Sequence, residues 1–152
     1  MPNPRKILLV SFLALTIFFS AILGYTLFVD LWREWLRDAI QVSLNGVEIQ
    51  KNSSEVTFHL MFKNPSFVDL EIYFIWVDVI CNKTTKVASW GSTRNIIFPA
   101  NDKVTLNVTT KLEEKYQVFL SNNTIWSLDL RFYLHTPLYF EPVKIYRSLG
   151  DP

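Results

Sequence analysis

From Ile7 to Val29 the chain carries no charged side chain, and from Gln41 onward its apolar residues fall into strict alternation with polar ones. The first pattern predicts a helix. Its 23 residues would span about 34 Å, enough to cross a hydrocarbon core of about 30 Å. Leu31, Trp32, Trp35, Leu36, Ala39 and Ile40 then recur at helical spacing, with Arg33, Glu34, Arg37 and Asp38 opposite. That spacing extends the helix as an amphipathic segment. The alternating pattern predicts strands with one buried and one wet face. It runs through Val56, Phe58, Leu60 and Phe62, through Val104, Leu106 and Val108, and through Leu128, Leu130, Phe132 and Leu134. Leu70 to Ile80 is more continuously apolar and reads as a central strand covered on both faces.

Turn residues separate these runs: Lys51 to Ser54, Asn64-Pro65-Ser66, Asn82-Lys83-Thr84, Pro99 to Asp102 and Ser121 to Asn123. Tyr116, Phe119 and Leu120 place one short helix at Glu113 to Leu120. The fold class is therefore mainly β: an N-terminal transmembrane helix, then an antiparallel β-sandwich. The organisation reads as a cytoplasmic N-terminus at 1–6, a transmembrane helix at 7–29, a juxtamembrane amphipathic helix at 30–40 and an extracytoplasmic sandwich at 41–152.

Two other readings bear on the N-terminal segment. A cleaved signal peptide has a shorter apolar core, usually about 7–15 residues, ending at a small-x-small site. Gly24 could serve as that site, but Ile22 two residues earlier fits it poorly. The amphipathic stripe could pack on the sandwich or on another membrane subunit. Trp32 and Trp35 fall where an interfacial aromatic belt would lie. Arg5 and Lys6 precede the apolar run, which places the amino terminus in the cytoplasm by the positive-inside rule.

Charge narrows the partners. The net charge is +1, and 13 of the 15 basic residues follow the apolar run together with all 14 acidic ones. No basic patch stands out, so a nucleic-acid partner is not expected. Cys81 is the single cysteine and reads as a buried structural thiol. Four N-x-S/T sequons occur, at Asn52, Asn82, Asn107 and Asn122. Three fall in predicted turns and Asn107 on the wet face of its strand, so all four could carry a glycan without entering the core. The alternative is that an Asn- and Thr-rich β surface produces sequons by chance.

Catalytic chemistry finds little footing. The two histidines, His59 and His135, sit on polar faces of different strands. With one cysteine they make no zinc site of usual spacing. There is no glycine-rich phosphate loop and no G-x-S-x-G elbow. Glu113-Glu114 reads as a solvated helix start. No enzymatic activity, cofactor or metal is expected.

The stretch Val56 to Lys111 carries a recognisable series. A strand ends in Asn64-Pro65, an apolar strand and turn follow, then Val87-Ala88 and Gly91, then Phe98-Pro99 before an alternating strand. This series resembles the late-embryogenesis-abundant group 2 family, also called the WHy (water stress and hypersensitive response) domain. Cys81-Asn82-Lys83 departs from it, since the family usually has glycine in that turn. The resemblance implies a sandwich of about seven strands with a short helix, and structural roles for Asn64, Pro65, Gly91 and Pro99. It also implies a non-enzymatic module for stress protection or for binding at the outer membrane surface, with the ligand unknown. The alternative is an accessory subunit bracing the outer face of a larger membrane complex, with partners along Ile7 to Ile40.

Overall fold

The computed structural model describes residues 4–120 and 124–150. One helix, α1 (Pro4–Ala39), precedes eight strands: β1 (Gln41–Gln50), β2 (Glu55–Lys63), β3 (Leu70–Cys81), β4 (Thr85–Ser92), β5 (Ile96–Phe98), β6 (Lys103–Lys111), β7 (Trp126–Thr136) and β8 (Tyr139–Gly150). A 3-10 helix covers Glu114–Phe119, within the segment read as helical. The chain divides into two compact units, 1–35 and 36–152.

The first unit is helix throughout its described length, and α1 is long and apolar enough to cross a membrane. Leu8, Phe12, Leu13 and Phe19 are exposed along it. The two threonine hydroxyls return to the helix itself: Thr16 Oγ1 donates to the Phe12 carbonyl at 2.9 Å and Thr26 Oγ1 to Ile22 at 3.0 Å. Such back-bonding satisfies these two hydroxyls without water in an apolar run.

The second unit begins with the last turn of α1. Leu36 and Ile40 are fully buried in it. Arg147 Nη2 donates to the carbonyls of Arg37 and Ile40, groups that a helix end leaves without intrahelical partners. One residue later β1 starts.

Two antiparallel sheets form the rest. The first has the order β1-β2-β6. The second has the order β4-β3-β7-β8, with β5 also pairing with β3. The alternating residues fill the core as their period requires. Val56, Phe58, Leu60 and Phe62 of β2 meet Leu128, Leu130, Phe132 and Leu134 of β7, all buried. Rings lock the layers edge to face: Phe58 on Trp126 at 5.6 Å and Phe62 on Phe132 at 5.4 Å between centroids. Cys81 is fully buried, and burial pushes its thiol up to about 11, which makes it unreactive.

The strand count is eight, against about seven expected, with the three residues of β5 among them. The reading of β3 needs correction. It is central, with β4 and β5 on one side and β7 on the other. It is not covered on both faces, because Trp76 on its outer face is 36% exposed. A bulge explains the misreading. The register with β7 shifts between Ile72 and Phe74, so Tyr73 is an extra residue and Tyr73 and Phe74 are both half-buried. Their rings make the sequence look apolar without a second layer above them.

The β3–β4 turn departs from glycine, and the backbone shows why glycine suits it. Asn82 and Lys83 take φ of 48° and 69°. Asparagine tolerates the left-handed region, whereas lysine there costs roughly 1 kcal/mol.

Asn64 closes the opposite end. Its buried Nδ2 donates to the carbonyls of Val68 (3.0 Å), Phe98 (2.9 Å) and Pro99 (3.0 Å). Its Oδ1 accepts from the Ser66 amide at 2.9 Å. Pro65 lacks an N–H and ends the ladder of β2, so the following loop depends on this carboxamide for its polar partners. Asn64→Ala would strip partners from several buried groups at once. A loss of roughly 3 kcal/mol follows, with a melting temperature lower by on the order of 10 °C. Thermal melts of the full chain and the variant in lipid nanodiscs check this. An unchanged midpoint would reject the role.

Candidate functional site on the outer face of the second sheet

Because the inner residues of β3, β4, β7 and β8 are committed to the core, alternate residues of the same strands line one outer face. Register arranges them in cross-strand rows. Ile97, Glu71 and His135 form the first row. Phe74, Tyr133 and Lys144 form the next. Gly91, Trp76, Arg131 and Tyr146 follow, and then Ser89, Asp78, Asp129 and Ser148.

The rings touch one another. Phe74 and Tyr133 lie 5.0 Å apart, Tyr73 and Tyr133 5.9 Å, and Tyr73 and His135 4.7 Å. Lys144 Nζ sits 5.6 Å from the centre of the Tyr133 ring, within cation–π range. Tyr146 is 60% exposed.

Asp78 is the polar centre of the face. Its Oδ1 accepts from Trp76 Nε1 at 2.7 Å, Ser89 Oγ at 2.8 Å and Lys86 Nζ at 2.8 Å. Its Oδ2 accepts from Arg131 Nη2 at 3.0 Å. Burial alone would raise its pKa. The hydrogen bonds from Lys86, Ser89 and Trp76, together with the Lys86 charge, outweigh burial and hold the carboxyl down at about 2. Trp76 is fixed at its other edge too. A Cβ on Gly91 would lie 2.8 Å from Trp76 Cε3 and 3.1 Å from Cζ3, so only glycine leaves room for the indole there.

An open groove of about 790 Å3 adjoins the first row, lined among others by Phe67, Ile97, Glu71, His135 and Thr136. Phe67 and Ile97 are 64% and 68% exposed.

The residues singled out in the sequence are not gathered here. Asn52 is exposed in the β1–β2 turn, Asn82 in the β3–β4 turn and Asn107 on β6. Asn122 lies outside the described residues. Asn107 Oδ1 meets His59 Nδ1 at 2.9 Å, and His59 Nε2 meets Glu48 at 3.1 Å. The bond to Asn107, reinforced by Glu48 against some desolvation, raises the His59 pKa. Trp32 and Trp35 lie on α1. Asn64, Pro65 and Pro99 belong to the corner described above. Gly91, beneath Trp76, and His135, in the first row, do lie in the outer face. Among the described residues no group of three or more His, Cys, Asp or Glu could hold a metal ion. Sequence reasoning missed Trp76, Asp78, Arg131 and Tyr146. Asp78, the one charged residue between Ile72 and Cys81, was the available signal.

The sequence matches no protein-family model and no curated protein. Solved structures do resemble it. The solution structure of a late embryogenesis abundant (LEA) protein superposes with a TM-score of 0.52 at 15% identity, covering 74% of this chain and 69% of that one. A solution structure from Arabidopsis thaliana gives 0.47 at 14% identity, covering 73% and 81%. A crystal structure from Archaeoglobus fulgidus gives 0.42 at 12% identity, covering 74% and 94%. The first of these shares its fold with this chain. At such identity the likeness extends to the fold alone.

The depressed Asp78 pKa has a stability consequence. A carboxyl lowered from 3.8 to about 2 contributes fully above its unfolded value, and the contribution is lost as pH falls through the folded one. Denaturant unfolding of the full chain should lose roughly 2 kcal/mol between about pH 5 and pH 2 that Asp78→Asn does not lose. Parallel pH profiles of the two proteins would contradict the network.

Proposed function

We propose that the chain is a membrane-tethered, non-enzymatic binding module of WHy type, with α1 as an uncleaved anchor, residues 1–6 in the cytoplasm and the sandwich outside. The observation that carries this reading is α1 itself: it is long and apolar enough to cross a membrane, and it continues as helix through the amphipathic segment to Ala39, one residue before β1. A long apolar helix joined this closely to a folded sandwich suits a tether that stays in place. The LEA-like fold supports a stress-related role at the outer membrane surface. The ring-lined outer face supports binding. It suits equally an accessory subunit of a larger membrane complex, which would co-purify stoichiometrically with its partners in mild detergent.

The exposed sequons fit the same topology. Asn107 meets His59 through Oδ1, so that contact leaves Nδ2, the atom a glycan would join, unused. Carbonate washing should leave the protein in the membrane, and protease added outside intact cells should digest the sandwich. In a glycosylating host, Asn52→Gln, Asn82→Gln, Asn107→Gln and Asn122→Gln should each speed gel migration. A shortened chain released into the medium and beginning near Tyr25 would overturn the anchor. A protected sandwich without glycan shifts would overturn the orientation.

A further inference from the structure

We propose that the outer face of the second sheet is a saccharide-binding platform, with the Trp76 indole as its stacking surface and Tyr146 as a second ring. The proposal deepens the binding reading above by naming the ligand class.

Trp76 is held at opposite edges, by Asp78 at Nε1 and by Gly91 beneath Cε3 and Cζ3. An indole fixed in this way offers its ring face as open surface, and Trp76 keeps 36% of its area exposed. Such a face matches the C–H face of a pyranose ring, which needs a flat, rigid apolar partner. Arg131 follows Trp76 in the row and Tyr146 follows Arg131. Trp76 and Tyr146 therefore stand two strands apart, or about 10 Å. That spacing suits alternate rings of an extended, equatorially linked sugar chain.

The composition of the face favours a sugar over a protein. The core of a protein interface is depleted of lysine, aspartate and glutamate. Here such groups share the rows with the rings: Lys144 beside Tyr133, and Asp78 and Asp129 in the row next to Trp76 and Arg131. The bond of Arg131 to Asp78 uses one N–H of Nη2, out of the five N–H donors of a guanidinium. A ligand with an apolar ring face and a rim of hydroxyls uses both kinds of group. Among the described residues the exposed aliphatic side chain of the face, Ile97, stands at the groove end, away from Trp76 and Tyr146.

The test uses the full chain in phosphatidylcholine nanodiscs, free of sugar-based detergent. Isothermal titration is run with cellohexaose, xylohexaose, mannohexaose and chitohexaose. At least one should bind saturably. Trp76→Ala should weaken that binding by about tenfold or more. Gly91→Ala, which keeps the indole but displaces it, should weaken it comparably. Tyr146→Ser changes a residue that is mostly exposed, so folding is preserved, and should weaken it by a few-fold. Val118→Ser, on the 3-10 helix, should leave it unchanged. No saturable binding to any of the four would overturn the proposal, as would binding that Trp76→Ala and Tyr146→Ser leave intact. A protein that co-isolates stoichiometrically and is lost with Trp76→Ala would overturn it by making the face a protein interface. None of these readouts depends on whether α1 stays in the membrane, so the anchor stands or falls separately.

Discussion

One carboxylate organises the outer face of this sandwich. Asp78 accepts hydrogen bonds from Trp76 on its own strand, from Lys86 and Ser89 on β4 and from Arg131 on β7. A carboxylate this buried is costly unless each oxygen finds donors, and here the donors come from three adjacent strands. The requirement fixes more than the charge. It sets the register of β4 and β7 around β3 at this row, draws the indole of Trp76 across the sheet, and leaves space for nothing larger than glycine at position 91. The core does not compete for these groups, because Val77, Val79, Leu128 and Leu130 turn the other way and are fully buried.

A second constraint acts at the far end of the sandwich. Asn64 ties the β2–β3 loop to the end of β5 through the carbonyls of Phe98 and Pro99, and closes the loop on itself through that of Val68. Strand-to-strand corners leave backbone groups without ladder partners, and one buried side-chain amide can serve several of them. Between Asn64 and Asp78, β3 is held at both ends by polar groups, while its middle contributes Ile72, Ile75 and Val77 to the core.

These two groups also mark how far the sequence could be read. The uncharged length of Ile7 to Val29 and the two-residue period of β2, β6 and β7 were plain, because the first has one environment throughout and each of those strands has one environment per face. Asn64-Pro65 was legible as a corner, since proline's missing N–H must end a ladder. Its partners were not, because Phe98 and Pro99 lie 34 and 35 residues away. β3 failed for a different reason. A bulge at Tyr73 breaks the alternation, and an aromatic ring counts as apolar whether it fills a core or lies half-exposed on a sheet. Asp78 in that run was the local conflict between pattern and residue, and such conflicts mark the places where the environment differs from the one the pattern implies. The donors that resolve it, Ser89 and Arg131, are 11 and 53 residues distant and are brought together by register alone.

The outer face depends on the bond between Trp76 Nε1 and Asp78, and the indole N–H signal of Trp76 reports on it directly. In NMR spectra of the full chain in nanodiscs, assigned by comparison with Trp76→Phe, that signal should be shifted and slow to exchange at neutral pH. On acidification it should move with the Asp78 carboxyl, with a midpoint at about 2. A signal that exchanges as fast as an exposed indole, or that titrates near the ordinary aspartate value of about 3.9, would contradict it.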